Sequence, residues 1–407
     1  MESQNRNPQL TVALVTETYP PEVNGVAMTL GRLTAGLRQR GHRVQVVRPR
    51  QRGEATPASP SGSDANFPDL LVPGLPIPFY PGLRFGLPNA DALIRHWRQQ
   101  PPDIVHIATE GPLGGSALTA ARRLGLPVSS GFHTNFDAYC RHYGFAWLRR
   151  PIAAHLRRFH NRCDATMAPT QSLANDLRNS GYQNVSVVSR GVDVRLFHPG
   201  RRSDALRQQW GAGVSDPVLI YVGRLAPEKN LGLAVNAFEA LRRQQPGARM
   251  VFVGDGPARA ALAARHRDPA FIFCGARHGD DLAMHYASAD IFLFPSLTET
   301  FGNVTVEALA SGLGVVAYDC AAAADLIEDG LNGCLAAPGD EAAFIAAAAS
   351  LTQRPQLLAQ VRNLAQASVA HLAWDRVHDR FSSLLWQLVR SSERKNHADN
   401  IFVIAPD

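Results

Sequence analysis

The chain of 407 residues contains no apolar run near the roughly 20 residues that a membrane-spanning helix requires. Residues 1–8 are polar and lack the apolar core of a secretory leader, so none is expected. The five cysteines, Cys140, Cys163, Cys274, Cys320 and Cys334, form no C-x-x-C pair, which predicts a reducing cytosol and no structural zinc. There is no G-x-G-x-x-G, so a dinucleotide fingerprint is absent, and no D-x-D metal motif. Lysine is missing from residues 1–200, which carry 22 Arg against 13 Asp+Glu, whereas residues 201–407 carry 19 Lys+Arg against 22 Asp+Glu. The basic half calls for an anionic partner such as nucleic acid, anionic lipid or a phosphorylated substrate, and it equally fits a solvated arginine-rich surface. At 45% hydrophobic and 19% charged the chain is globular, and its length predicts two domains.

What is present centres on residues 295–307, PSLTETFGNVTVE. The apolar run 291–294 before it reads as a buried strand, and residues 308–310 after it as a helix closed by Gly312. Free N–H groups at such a helix start, near Asn303, Val304 and Thr305, make an anion site. Glu299 lies before the helix and Glu307 inside it. One carboxylate can then face what hangs off the anion while the other faces back along it, the shape of a nucleotide-sugar. Two carboxylates eight residues apart ordinarily carry no function. The strand, turn and helix around them give the pair its interest.

The rest of the chain reads as two α/β series. Residues 10–16 and 43–47 are strands flanking a helix entered through Asn24-Gly25, where a backbone N–H could meet a phosphate. Residues 48–67 read as an exposed loop. Residues 67–88, rich in Pro, Phe, Tyr and Leu, read as an irregular apolar segment shaping an acceptor pocket through Tyr80 and Arg84. Strands follow at 103–109 and 127–133, the latter ending at Phe132-His133-Thr134 on the edge where open sheets bind ligands. Phe145, Trp147, Arg149 and Arg150 combine aromatic and basic groups in a way that suits a lipid headgroup interface, or a core aromatic beside a solvated helix face. In the second series, the strand at 217–222 leads into Gly223-Arg224 and then Glu228-Lys229-Asn230. Two cations at a strand's end beside a helix entrance suit a diphosphate. Residues 250–257 end in the tight turn Gly254-Asp-Gly-Pro257, and the strand 271–275 leads to Gly275, Ala276 and Arg277.

These motifs, in this order over residues 10–390, resemble the retaining GT-B glycosyltransferases of family 4, group 1. The carriers are the E-x7-E pair in 295–307, the G-R-x-x-x-E-K-N loop at 223–230 and the glycine-proline turn at 254–257. Residues 17–26, 80–84 and 132–136 resemble a subgroup of GDP-mannose-dependent α-mannosyltransferases and sulfoquinovosyl- or glycosyl-diacylglycerol synthases. Two places depart from the family's form: Gly312-Leu313-Gly314 stands for G-x-P, and residues 321–324 are alanines where a glycine pair is usual.

The resemblance implies two Rossmann-like doubly wound domains facing a central cleft: an acceptor domain at 1–198, a donor domain at 199–370, a helix at 371–390 crossing back to the first domain, and a tail at 391–407. It implies that His133, Arg224, Lys229 and Glu299 act in catalysis. Donor binding would use Gly25, Gly223, Arg224, Lys229, Gly254, Gly275 to Arg277, Glu299, Phe301, Gly302, Asn303, Val304, Thr305 and Glu307. Expected substrates are a GDP- or UDP-sugar and a lipid or glycan hydroxyl, with an anionic membrane surface as partner and no nucleic acid. No metal is expected to be obligatory, Mg2+ on the diphosphate being dispensable, and the expected location is the cytoplasmic face of a membrane. An epimerase or hydrolase on the same scaffold, or a non-catalytic nucleotide-sugar sensor, stays open at this point.

Overall fold

Continuous runs of Val, Ile and Leu suit strands covered on both faces, and the chain supplies two sets of them. The structure, a computed structural model, describes residues 9–402 except 23, 52–53, 55–67, 78–79 and 134–148. The chain divides into two compact units: Met1–Phe136 with Ala146–Ser189 and Trp374–Asp407, and Asp137–Phe145 with Arg190–Ala373.

The first unit contains β1 (Thr11–Val15), β2 (Arg43–Pro49), β3 (Leu70–Val72), β4 (Gly74–Ile77), β5 (Tyr80–Gly86), β6 (Ile104–Ile107), β7 (Val128–Gly131), β8 (Ala165–Ala168) and β9 (Val185–Val187). Seven of these form a sheet of order β3-β2-β1-β6-β7-β8-β9, parallel at every pairing. Val12 lies opposite Val44 on one side and Ile104 on the other, and is fully buried between them. Residues 67–88 are not irregular as expected: they supply β3 and an antiparallel hairpin in which Leu75 of β4 faces Phe85 of β5. Prolines 73, 76 and 81 hide this from a pattern search. A two-stranded ribbon tolerates them because each strand has an outward edge where proline forfeits no ladder bond.

The helix Trp374–Phe402 belongs to this unit and continues well past residue 390, where the amphipathic pattern ends. Val377, Phe381, Leu385 and Val389 recur every fourth residue and pack with Leu10, Val12 and Leu33. Each such burial is worth about 1.5–3 kcal/mol. The Arg40–Asp379 pair beside it spans 2.8 Å, but its carboxylate is 69% exposed, so the apolar stripe holds the helix and the ion pair adds little.

The second unit contains β10 (Val218–Val222), β11 (Arg249–Val253), β12 (Phe271–Gly275), β13 (Ile291–Phe294), β14 (Gly314–Tyr318) and β15 (Cys334–Ala336). Their order is β12-β11-β10-β13-β14-β15, again parallel throughout. The order reverses between β10 and β13, so the loops leaving those two strands diverge to opposite faces and leave a crevice at their C-terminal ends. At the opposite edge, the buried Asp290 accepts from Arg202 at 3.1 Å, Arg207 at 3.0 Å and Arg362 at 3.1 Å. Three guanidiniums on one carboxylate fix the far end of β13 to two flanking helices.

Candidate active site

The crevice of the second unit is built from the loops after β10, β11, β12 and β13. Three turns are knitted to one another by backbone bonds: Gly223 N donates to Val253 O at 3.0 Å, Leu225 N to Asp255 O at 2.9 Å, and Gly254 N to Gly275 O at 2.9 Å. Gly254 has φ of 139°, and a Cβ there would lie 1.9 Å from the carbonyl oxygen of Gly223. Only glycine lets these two loops approach so closely.

After β10 the chain makes a short 3-10 turn, Pro227–Lys229, and Asn230 takes a left-handed conformation (φ 51°) to start the helix Leu231–Arg242. This turn aims Lys229 across the crevice. Its Nζ donates to Oε1 of Glu299, which also accepts from Oγ of the buried Ser296 at 2.9 Å. Both partners of the ion pair are about four-fifths buried, with side-chain exposures of 19% and 18%. Arg224 is half exposed and its guanidinium lies 3.8 Å from Glu228. Its carbonyl oxygen accepts from Tyr221 Oη at 3.3 Å.

After β13, Gly302 adopts φ of 87° and opens the helix Asn303–Ala310, which has no side-chain cap and no acid in its first turn. An uncapped start leaves a partial positive charge at the crevice. Phe301 and Thr305 are buried, with Thr305 Oγ1 packed under the Gly302 turn. Arg190, buried and with its guanidinium pushed down to about 10 by that burial, donates to Asn303 Oδ1 at 3.4 Å and lies 5.7 Å from the centre of the Phe301 ring. Glu307 accepts from Tyr286 Oη at 3.0 Å, and burial pushes its carboxyl up to about 7. Beside the crevice, burial first and the charge of Glu299 second raise the Cys320 thiol to about 11. Ala321 stands in the left-handed region (φ 51°), so the backbone keeps a conformation that suits glycine although glycine is not there.

Ala276 and Arg277 are exposed after β12, with Arg277 paired to Asp281 at 3.2 Å. Gly25 and His133 belong to the first unit. At Gly25 the helix start is already capped: Asn24 Oδ1 accepts from Val26 N at 3.1 Å and Ala27 N at 2.9 Å. His133 follows β7, and its ring lies over Gly131, where a Cβ would come 2.4 Å from Nε2. Arg84 of β5 donates to Gly74 O. Tyr80 is also on β5, and Arg149 and Arg150 begin the helix Arg149–His160. Thr134, Phe145 and Trp147 lie outside the described residues.

Sequence reasoning missed Ser296, Tyr286 and Arg190. Ser296 stands three residues before Glu299, a signal that was legible. The other two reach the site from distant elements and leave no local trace. It also missed a buried relay in the first unit: Ser130 Oγ meets His160 Nδ1 at 2.9 Å, and His160 Nε2 meets Glu110 Oε1 at 3.1 Å.

The model of the family described as "Glycosyl transferases group 1" matches residues 216–354, and that described as "Glycosyltransferase Family 4" matches residues 23–196. A GDP-mannose-dependent alpha-mannosyltransferase of Corynebacterium glutamicum is 32% identical over 394 residues, covering 96% of this chain and 89% of its own. The chain belongs to the family 4, group 1 glycosyltransferases. An alpha-monoglucosyldiacylglycerol synthase of Acholeplasma laidlawii is 27% identical to this glycosyltransferase over 95% of the chain and 99% of its own. Among solved structures, Anabaena HepE in complex with UDP and glucose superposes with a TM-score of 0.71 at 19% identity, covering 93% of this chain and all of HepE. Sucrose-phosphate synthase from Thermosynechococcus elongatus superposes with a TM-score of 0.76 at 16% identity, covering 94% and 100%. The fold of this glycosyltransferase is GT-B, with one Rossmann-like sheet in each unit.

Proposed function

We propose that this glycosyltransferase moves a hexose of mannose or glucose type from a GDP- or UDP-sugar to a hydroxyl of a lipid or glycan acceptor, with retention at the anomeric carbon. The observation that carries the reading is the meeting of Lys229 and Glu299 at the crevice between β10 and β13, beside the uncapped start of Asn303–Ala310. A diphosphate in that crevice would take Lys229, Arg224 and the helix start as its partners. Glu299 then orients the sugar, and Glu307 holds ribose hydroxyls further along the helix. As the bond from the anomeric carbon to the β-phosphate oxygen breaks, negative charge grows where these cations and N–H groups already point. The acceptor oxygen bonds to the same face of that carbon, and its proton passes to the departing phosphate. The first unit, which carries His133 after β7, serves the acceptor.

The names of the relatives favour a GDP-sugar and a lipid acceptor. Among the described residues no helix is long and apolar enough to cross a membrane. Contact with an anionic lipid surface through the exposed Arg150, Arg157 and Arg158 on Arg149–His160 agrees with that, and so does a place on the cytoplasmic face. Mg2+ is not required on this reading, because Arg224 and Lys229 supply the charge.

The test is a donor screen with a membrane lipid extract, in EDTA and in Mg2+. The expected product is an α-linked glycolipid, formed only when donor and lipid are both present and with most activity kept in EDTA. Release or epimerisation of the sugar without acceptor would replace transfer by another reaction. Loss of activity in EDTA with recovery in Mg2+ would refute the metal-free reading.

A further inference from the structure

We infer that a pocket in the first unit binds a negatively charged group carried by the acceptor lipid, an inference that rests on the reading of this unit as the acceptor side. A cavity of about 470 Å³ is lined by Arg50, Gln51, Pro73, Gly74 and Arg84. Arg50 and Gln51 follow β2, and Pro73 and Gly74 follow β3, so the pocket lies on the C-terminal edge of the sheet, where open α/β sheets take ligands. Arg50 N donates to Val72 O at 2.9 Å, which holds the two strand ends together. Arg84 reaches in from β5. One of its terminal nitrogens donates to Gly74 O, while its Nε is buried with no hydrogen-bond partner among the described residues. A buried donor without an acceptor is a standing cost that an anion in the pocket would remove.

The neighbouring carboxylates already hold partners, two of them on Gln51 of the pocket itself. Glu54 accepts from both terminal nitrogens of Arg48 and from Gln51 N at 3.0 Å, Asp69 from Arg38 at 3.4 Å, and Glu22 from Gln51 Nε2 and Thr18 Oγ1. The charged residues that line the pocket itself are two arginines, Arg50 and Arg84. Leu75, next to Gly74, is 49% exposed and sets an apolar rim beside that cationic floor. An amphiphile with a phosphate, sulfonate or carboxylate in its headgroup matches both features. An uncharged acceptor would leave the Arg84 Nε as it is.

The test titrates the full chain by calorimetry with three probes, each below micelle formation: dihexanoyl phosphatidylglycerol, dihexanoylglycerol and inorganic phosphate. The phosphatidylglycerol is expected to bind about 10-fold more tightly than either of the others, and Arg50→Gln/Arg84→Gln to weaken it by about 10-fold or more. Arg50→Gln alone, at an exposed position, serves if the double change disturbs folding, with an expected loss of about 3-fold. Equal binding of the charged and uncharged lipids, or unchanged binding in the variants, overturns the proposal. Inorganic phosphate binding as tightly as the lipid overturns the assignment to a lipid-borne group. Binding of GDP and UDP on the same samples reads the donor assignment separately. Its absence in the wild type would sink that assignment, while its retention in the variants shows that they are folded.

Discussion

Lys229 Nζ is hydrogen-bonded to Glu299 Oε1, across 70 residues of sequence and between the two loops that flank the crevice of the second unit. On the proposed reading, the cation that would meet a diphosphate is thus neutralised by the carboxylate that would face the sugar. A nucleoside diphosphate bound there without sugar would compete with Glu299 for Lys229. Glu299→Gln removes the competing charge and is expected to tighten GDP or UDP binding by about 5–10-fold, the size of a partly screened charge interaction. Calorimetric dissociation constants decide it; weaker binding in the variant would contradict the pairing as described.

Glu307 gives a pH dependence. Burial raises its carboxyl to about 7, so below that pH it is mostly protonated and one oxygen would no longer accept from the ribose hydroxyls proposed for it. For the wild type, kcat/KM for the donor is expected to rise with pH through about 7, because that ratio reports groups of the free enzyme. In Glu307→Gln the rise should vanish. An unchanged profile in the variant assigns the titration to another group.

Three histidines around the docked C-terminal helix are held neutral. His106, fully buried with its ring 5.0 Å from Phe381, is pushed down to about 4 by burial. Burial, then Arg40, also lowers His42, which meets Ser382 Oγ at 2.7 Å, and His378 on the helix itself. The folded state therefore binds fewer protons than the unfolded chain between the ordinary histidine value of 6.5 and these depressed values. Stability is complete above that window and is lost as pH falls, by roughly 1.4 kcal/mol per unit for each histidine involved. Melting temperatures from pH 7 down to 4.5 should decline, and decline less steeply in His42→Gln/His106→Gln. Parallel declines would assign the acid sensitivity to other groups.

Gly36 seats the same helix. A Cβ there would lie 2.2 Å from His378 Nδ1 and 2.3 Å from its Cγ. Alanine favours a helix over glycine by about 1 kcal/mol, yet the overlap should cost about 1–3 kcal/mol and more than cancel that gain. Gly36→Ala is expected to lower the urea midpoint, and His378→Ala in the same chain to restore it. Additive losses in the double variant would show that the two residues do not share this contact.

Much of the second unit was legible because parallel strands buried on both faces are unbroken apolar runs. Val218–Val222, Met250–Val253 and Ile291–Phe294 announce themselves, and the turns after the second and third carry Gly254 and Gly302 at positions of positive φ that favour glycine. The hairpin β4–β5 was not legible, since its prolines mask alternation and its pairing is a tertiary fact. Nor was the neutralisation of Lys229 by Glu299, because each residue's loop gives its chemistry but not its partner. Arg190 and Tyr286 show the same limit: an arginine before a loop and a tyrosine on a helix acquire meaning only when the fold brings them to Asn303 and Glu307.

The two glutamates should separate binding from turnover. Glu307 lies in the helix, bonded to Tyr286, where it would hold ribose hydroxyls that do not change during reaction. Its loss removes interactions shared by ground and transition states, so Glu307→Gln should raise the donor KM more than it lowers kcat. Glu299 stands before the helix between Lys229 and Ser296, where it would face a sugar whose anomeric carbon becomes electron-poor as the diphosphate leaves. Misplacing that ring costs rate, so Glu299→Gln should lower kcat by about 10²-fold or more. The variant's tighter grip on free diphosphate would add slower product release in the same direction. Steady-state kinetics on both variants with saturating acceptor, together with single-turnover rates that isolate the chemical step, distinguish the two contributions. If Glu299→Gln altered only KM while Glu307→Gln altered only kcat, the donor would lie in the opposite sense along Asn303–Ala310, with its sugar at Glu307.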